Sequence, residues 1–186
     1  MEHLTFTPFP ELRTSRLLLR QVKNKDAAVM LALRSDDQVM RYIDRPRASN
    51  LTEAQQFIQL IHDGITNISG ITWAMSLADD RSGKMIGTIG FWRIDKANHR
   101  AEIGYMLSPQ HFRKGLMNEA MAQVLHYGFN TMQLHSVEAN VNPGNQASAS
   151  LLQKHGFVQE AYFRENYYFN GRFLDSSIYC LLNPNR

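Results

Sequence analysis

The stretch Ala101–Phe129, AEIGYMLSPQHFRKGLMNEAMAQVLHYGF, decides the fold. It reads as a strand over Glu102–Leu107, a short loop over Ser108–Gly115 and a helix from Leu116 onward. Met117, Ala120, Met121, Val124, Leu125 and Gly128 recur at the spacing of one apolar helix face. A helix N-terminus leaves its first N–H groups without internal acceptors and carries partial positive charge. With Arg113, Lys114 and Gly115 just before it, the loop is suited to hold a phosphate by main-chain contact. The same residues also read as an ordinary connection with a solvated Arg-Lys pair. Neither a GxxxxGK(S/T) phosphate loop nor a GxGxxG dinucleotide pattern is present.

Working outward, the strand, loop and helix continue into a further strand at His135–Val141, which makes a β-α-β crossover. Asn142-Pro143-Gly144 turns the chain, and Asn145 begins a helix that runs through Lys154 and stops at Gly156. Phe157–Phe169 and Arg172–Leu182 form a hairpin around Asn170-Gly171. Upstream, Arg16–Val22, Thr72–Ala78 and Lys84–Arg93 read as strands, the last two leading as a meander into Glu102–Leu107. Asn24 is placed to cap a helix over Asp26–Arg34, and a short helix follows over Asp37–Tyr42. Thr52 and Gln55 form a capping box for a helix to Ile65, with Phe57, Ile58, Ile61 and Ile65 inward. Residues 1–15 carry Pro8 and Pro10 and read as a loosely structured arm. The pattern is one α/β domain over residues 1–186, with a mixed, mostly antiparallel sheet of about seven strands.

The 186 residues, 44% hydrophobic and 20% charged, suffice for a single core. A lone cysteine, Cys180, excludes an internal disulfide framework. With no ~20-residue apolar run and no basic-then-apolar leader, the expectation is a soluble cytoplasmic protein without a membrane partner. The net charge of +3 and pI of about 9.1 lack the dense basic patterning of a nucleic-acid binder. The histidines show no metal-ligand spacing, so no metal is expected.

The string N-x-x-S-x-x-L-L-x-K-x-G-F from Asn145 to Phe157, set behind the strand-loop-helix-strand unit, resembles the GCN5-related N-acetyltransferase (GNAT) superfamily. Within it, EIGYMLSPQHFRKGLMNEA is similar to the E-I-G-Y-x-L-x-P-x-x-W-G-K-G-Y-A-T-E-A of the enzymes that acetylate ribosomal-protein N-termini. LRTSRLLLRQV and FNGRFLDSSIYCLL resemble that group's opening and its closing hairpin. The resemblance implies helices on both sheet faces and two central parallel strands that splay apart. It also implies acetyl-CoA as cosubstrate, with its pyrophosphate on the amides of Arg113, Lys114, Gly115, Leu116 and Met117. Pantetheine would run past Met106 and Leu107, with Asn145 and Ser148 contacting the cofactor. Against the superfamily's Q/R-x-x-G-x-G/A, Gly115 matches, while Phe112 stands in the Q/R place and Met117 in the G/A place. Arg113 stands where the ribosomal-protein group usually has glycine.

Acetyl transfer to an amine needs a base, polarisation of the thioester and a donor to the departing sulfur. Glu102 is the base candidate, directly or through water, because a carboxylate beside Ile103 is placed for a raised pKa. It also reads as an ion-pair partner of Arg100 or Lys96. Ser148 is the donor candidate, with Tyr167 and Tyr168 as rivals, and Glu165 is a second carboxylate for the substrate side. Tyr42, Arg45, Arg47, Trp92, Tyr167 and Tyr168 are candidates to line the acceptor side. Cys180 reads as a small buried hydrophobe. The implied acceptor is a primary amine, either the N-terminus of a ribosomal or other protein or a small amine such as a polyamine or amino sugar. A non-catalytic acyl-CoA-binding module is the competing class. A homo-oligomer is compatible with the sequence.

Overall fold

The computed structural model describes residues 4–184. The strands are β1 (Leu12–Arg13), β2 (Leu17–Gln21), β3 (Ile71–Leu77), β4 (Met85–Asp95), β5 (Arg100–Leu107), β6 (Ser136–Val141), β7 (Val158–Phe169) and β8 (Arg172–Leu182). They form one sheet in the order β1-β2-β3-β4-β5-β6-β8-β7. Every neighbouring pair is antiparallel except β5 and β6, the parallel pair expected of a crossover. The helices are α1 (Ala27–Ser35), α2 (Asp37–Met40), α3 (Leu51–Thr66), α4 (Leu116–Asn130) and α5 (Gln146–Lys154). Among the described residues no helix is long and apolar enough to cross a membrane.

Strand alternation divides the core between the two sheet faces. On β3, Ile71, Trp73 and Met75 join one buried cluster with the α4 residues Ala120, Met121 and Val124. Ala74, between them, joins the other, with Met30 and Leu33 of α1 and Ala54 and Ile58 of α3. α4 lies close on the sheet because Gly128 has no side chain. A Cβ there would sit 2.7 Å from Cζ of Phe91.

The eighth strand and the arm correct the expectation for residues 1–15. Leu12 and Arg13 pair with Leu19 and Leu18. Phe6 is buried, Phe9 packs edge-on against Trp73, and Pro10 O accepts from Trp73 Nε1 at 2.7 Å. The prolines break regular structure without freeing the segment, because burying Phe6 against the sheet offsets the cost of ordering it. Residues 1–3 of the expected arm, and the last two of the expected 1–186 domain, lie outside the described residues.

Two helix starts also differ from the spacing-based reading. Asn50, not Thr52, caps α3. Its side chain accepts from Glu53 N at 3.0 Å, while Glu53 takes Ser49 N at 2.8 Å. Asn24 opens a 3₁₀ turn, Asn24–Asp26, ahead of α1. Asp26 is buried there and accepts both Lys23 N at 2.8 Å and a two-pronged ion pair from Arg20 at 2.8 Å on each oxygen. Arg20 also donates to Gly83 O at 2.7 Å, so one buried guanidinium joins β2, the start of α1 and the β3–β4 turn.

The loop before α4 explains the departure at Arg113. Arg113 has φ +58° and Gly115 has φ +74°, so both occupy the left-handed region that glycine enters freely. The residue that replaces the group's usual glycine keeps a glycine's backbone. Met117, the other departure, packs its side chain against the core cluster.

Two outcomes follow, both read from denaturant unfolding midpoints. Asp26→Ala leaves Arg20 charged and buried without its partner and costs about 3–5 kcal/mol, whereas Arg47→Ala at the exposed Asp37 pair costs less than about 1 kcal/mol. Arg113→Gly relieves about 1–2 kcal/mol of left-handed strain against about 0.5–1 kcal/mol of added chain entropy. It is therefore neutral to stabilising, and Gly115→Ala is destabilising.

Candidate active site

The site begins where the parallel ladder stops. β5 and β6 pair at Arg100/Ser136, Ala101/Val137 and Glu102/Glu138, and at no residue beyond. β5 nevertheless runs on to Leu107 alongside β4, and β6 to Val141 alongside β8. The two strands diverge, and a cleft of about 870 Å³ opens between them. Ile103, Gly104, Tyr105 and Met106 form one wall, Ala139, Asn140 and Val141 the other, and Asn145 and Ser148 at the start of α5 close one side.

Glu102 sits at the fork and is buried. Its carboxylate pairs with Arg93 Nη1 at 3.1 Å, whereas the sequence pointed to Arg100 or Lys96. Arg100 instead pairs with Glu138 at 2.8 Å. The difference comes from a register shift in β4 between Trp92 and Asp95, where Arg93 takes φ +48°. A bulge re-aims a side chain to the other face of its strand, and here it brings Arg93 beside Glu102. Burial pushes the Glu102 pKa above the usual carboxylate range and Glu138 adds to it, while Arg93 and Arg45 pull the other way.

On the α5 side, Asn145 Oδ1 accepts from Ser148 N at 3.1 Å and caps the helix. Ser148 Oγ lies 2.6 Å from the hydroxyl of Tyr105. Burial raises the Tyr105 pKa to about 12, with the Ser148 hydrogen bond acting against it, so this is a pair of neutral hydroxyls at physiological pH. Sequence reasoning missed Tyr105. Its spacing marked only a strand position, and its contact with Ser148 spans 43 residues. Tyr167 lines the cleft but its hydroxyl is engaged elsewhere, donating to Asp44 O at 3.0 Å and accepting from Arg45.

The remaining candidates divide. Tyr42, Arg45 and Trp92 line the cleft. Tyr168 does not; it is exposed and packs against Phe173 near the hairpin tip. Glu165 is exposed with φ +50°, its amide held by Asp175, and Arg47 pairs with Asp37. Cys180 is half-buried and outside the cleft, its thiol pushed up to about 12, chiefly by burial and then by Glu160.

At the start of α4 no side chain caps the helix. Leu116 is buried, Phe112, Arg113, Lys114 and Gly115 are exposed, and Leu107 is buried at the end of β5. The loop is clamped from behind by Arg16, which donates to Lys114 O at 2.9 Å and pairs with Glu119 at 2.6 Å. Burial alone would raise the Glu119 pKa. Hydrogen bonds from Thr14, Arg16 and Ser15 outweigh it and hold the carboxyl down at about 2. None of residues 107–117 lines the cleft, and the uncapped first turn of α4 suits a bound anion.

Comparison with known proteins agrees with this geometry. An acetyltransferase (GNAT) domain model matches residues 16–158. The chain is 36% identical over 176 residues to the uncharacterized N-acetyltransferase YoaA of Bacillus subtilis (strain 168), covering 95% of this chain and 98% of that protein. It is 25% identical over 185 residues to the ribosomal protein uS5-alanine N-acetyltransferase of Escherichia coli (strain K12), covering 95% and 93%. A solved structure of spermidine N-acetyltransferase from Vibrio cholerae in complex with CoA and spermine matches with a TM-score of 0.79 at 23% identity, over 91% of this chain and 97% of that one. With its family model spanning most of the length and its cleft at the divergence of two parallel strands, the chain belongs to the GNAT family of N-acetyltransferases.

Proposed function

We propose that this cleft transfers an acetyl group from acetyl-CoA directly to a primary amine, such as the N-terminus of a ribosomal or other protein. The observation that carries the reading is the opposition of two complementary groups across one divergence: a buried carboxylate at the fork and a neutral hydroxyl pair at α5. The residues fit the cosubstrate. The uncapped start of α4 supplies main-chain donors to a pyrophosphate, and the unpaired edges of Ile103–Leu107 and Ala139–Val141 are free to take amide groups. Phe112 through Met117 serve through their backbone, so the three departures in side chain leave that role intact. Acetyl-CoA supplies the activated acyl thioester.

In this reading Glu102 removes a proton from the acceptor ammonium, directly or through water. Ser148, oriented by Asn145 and hydrogen-bonded to Tyr105, donates to the sulfur as negative charge builds there. Tyr167 holds the Asp44–Arg45 wall in place beside the acceptor. The Escherichia coli relative named above acts on a ribosomal-protein alanine, and the Vibrio cholerae enzyme is seen with spermine. Protein N-termini and polyamines therefore bracket the acceptors to be tried.

Calorimetry with acetyl-CoA, followed by CoA release with a panel of peptides and amines, tests the reading. Binding without release above background would favour a non-catalytic module. Glu102→Gln lowers kcat by about 10²-fold with acetyl-CoA affinity unchanged; an unaltered rate removes Glu102 as the base. A raised pKa means the ionised base is lost as pH falls through it, so kcat/KM declines on the acid side above the usual carboxylate range. Arg93→Gln, by removing a charge that lowers that pKa, moves the decline to higher pH. Tyr105→Phe reduces kcat less than Ser148→Ala, because it leaves the Ser148 donor in place.

A further inference from the structure

The cleft is lined by three arginines, Arg34, Arg45 and Arg93, and three carboxylates, Asp44, Glu102 and Asp175. Each carboxylate already has a partner. Glu102 is paired with Arg93, Asp44 accepts from Asn142 Nδ2 at 3.1 Å, and Asp175 accepts from Tyr162 and from Glu165 N at 2.8 Å. Two of the arginines, Arg34 and Arg45, have no carboxylate partner among the described residues. Both are held in place by uncharged neighbours. The Arg34 guanidinium stacks 4.0 Å from the Phe57 ring centroid and donates to Pro46 O at 3.2 Å. Arg45 lies 5.2 Å from the Tyr167 centroid and donates to the Tyr167 hydroxyl and to Asp44 O. A guanidinium fixed over an aromatic ring with donors to spare is preorganised for a carboxylate.

Resting on the acetyl-transfer reading, we infer that the acceptor is a primary amine bearing a carboxylate a few bonds from the amine, and that Arg34 and Arg45 bind that carboxylate. The amine then lies toward Glu102, whose titration already senses Arg45, and the carboxylate toward the Arg34 and Arg45 side. A polycationic amine offers neither guanidinium an acceptor, and is disfavoured. The carboxylate has two natural sources: a free amino acid, or an acidic residue just after the N-terminus of a peptide.

The test measures kcat/KM at saturating acetyl-CoA for acceptor pairs that differ only in carboxylate against carboxamide. These are an amino acid and its amide, and an Ala-Glu and an Ala-Gln peptide with amidated C-termini, with spermidine as the polycation. The carboxylate member of at least one pair exceeds its amide by about tenfold or more, the worth of a charge-assisted hydrogen bond, and spermidine lies well below it. The pair that shows the preference names the source. Arg45→Gln and Arg34→Gln each bring the ratio toward one, while Arg45→Lys retains part of it and separates lost charge from lost folding. Equal rates for carboxylate and amide, or a preference for spermidine, overturn the inference but leave acetyl transfer standing. Binding of acetyl-CoA with no acceptor acetylated overturns acetyl transfer and this inference together.

Discussion

The constraint on which the rest depends is that β5 and β6 do not remain paired. Each stays paired on its other side, β5 with β4 and β6 with β8, while their own ladder ends at Glu102 and Glu138. An interior break in a sheet leaves main-chain donors and acceptors without partners, which is costly unless something else satisfies them. A helix follows each of the two strands. α4 leaves the end of β5 through the Ser108–Gly115 loop, and α5 leaves the end of β6 through the Asn142–Asn145 turn. The Asn145–Ser148 unit lines the cleft with Ile103–Met106 although the two are distant in the chain, whereas none of residues 107–117 lines it.

Rigidity around the break comes from polar clamps as well as packing. Arg20 and Asp26 lock β2 to the start of α1 and to the β3–β4 turn. Arg16 and Glu119 lock the segment before β2 to α4 and to the loop ahead of it. Both arginines come from one short stretch, TSRLLLR. It serves the site from the far side of the sheet order, since β2 lies three strands from β5.

Much of this was legible in the residues because it is local. The apolar stripe of α4, the Asn145 cap, the stop at Gly156 with φ +85° and the Asn170-Gly171 turn are each written within a few positions. The parallel crossover followed from strand, helix and strand in succession. What was not legible depends on partners distant in sequence or on backbone irregularity. Nothing near Arg93 marks the bulge that turns it toward Glu102, and nothing near Tyr105 marks Ser148 as its partner. The order of the N-terminal arm likewise depends on the surface of β3, which a reading confined to Pro8 and Pro10 does not contain. Asn50 was missed as a cap for a milder reason. Thr52 and Gln55 offered an equally regular pattern two residues later.

The placement of the chain's two tryptophans has an optical consequence. Trp73 is 0% exposed and ringed by Phe9, Phe91 and Tyr127, while Trp92 is 40% exposed and borders the cleft. Emission from the first belongs to a dry, rigid environment and lies to the blue. Emission from the second lies to the red and is open to soluble quenchers. The molecule thus carries separate intrinsic fluorophores for its core and for its cleft, and occupancy of the cleft can be followed in the red component without a label.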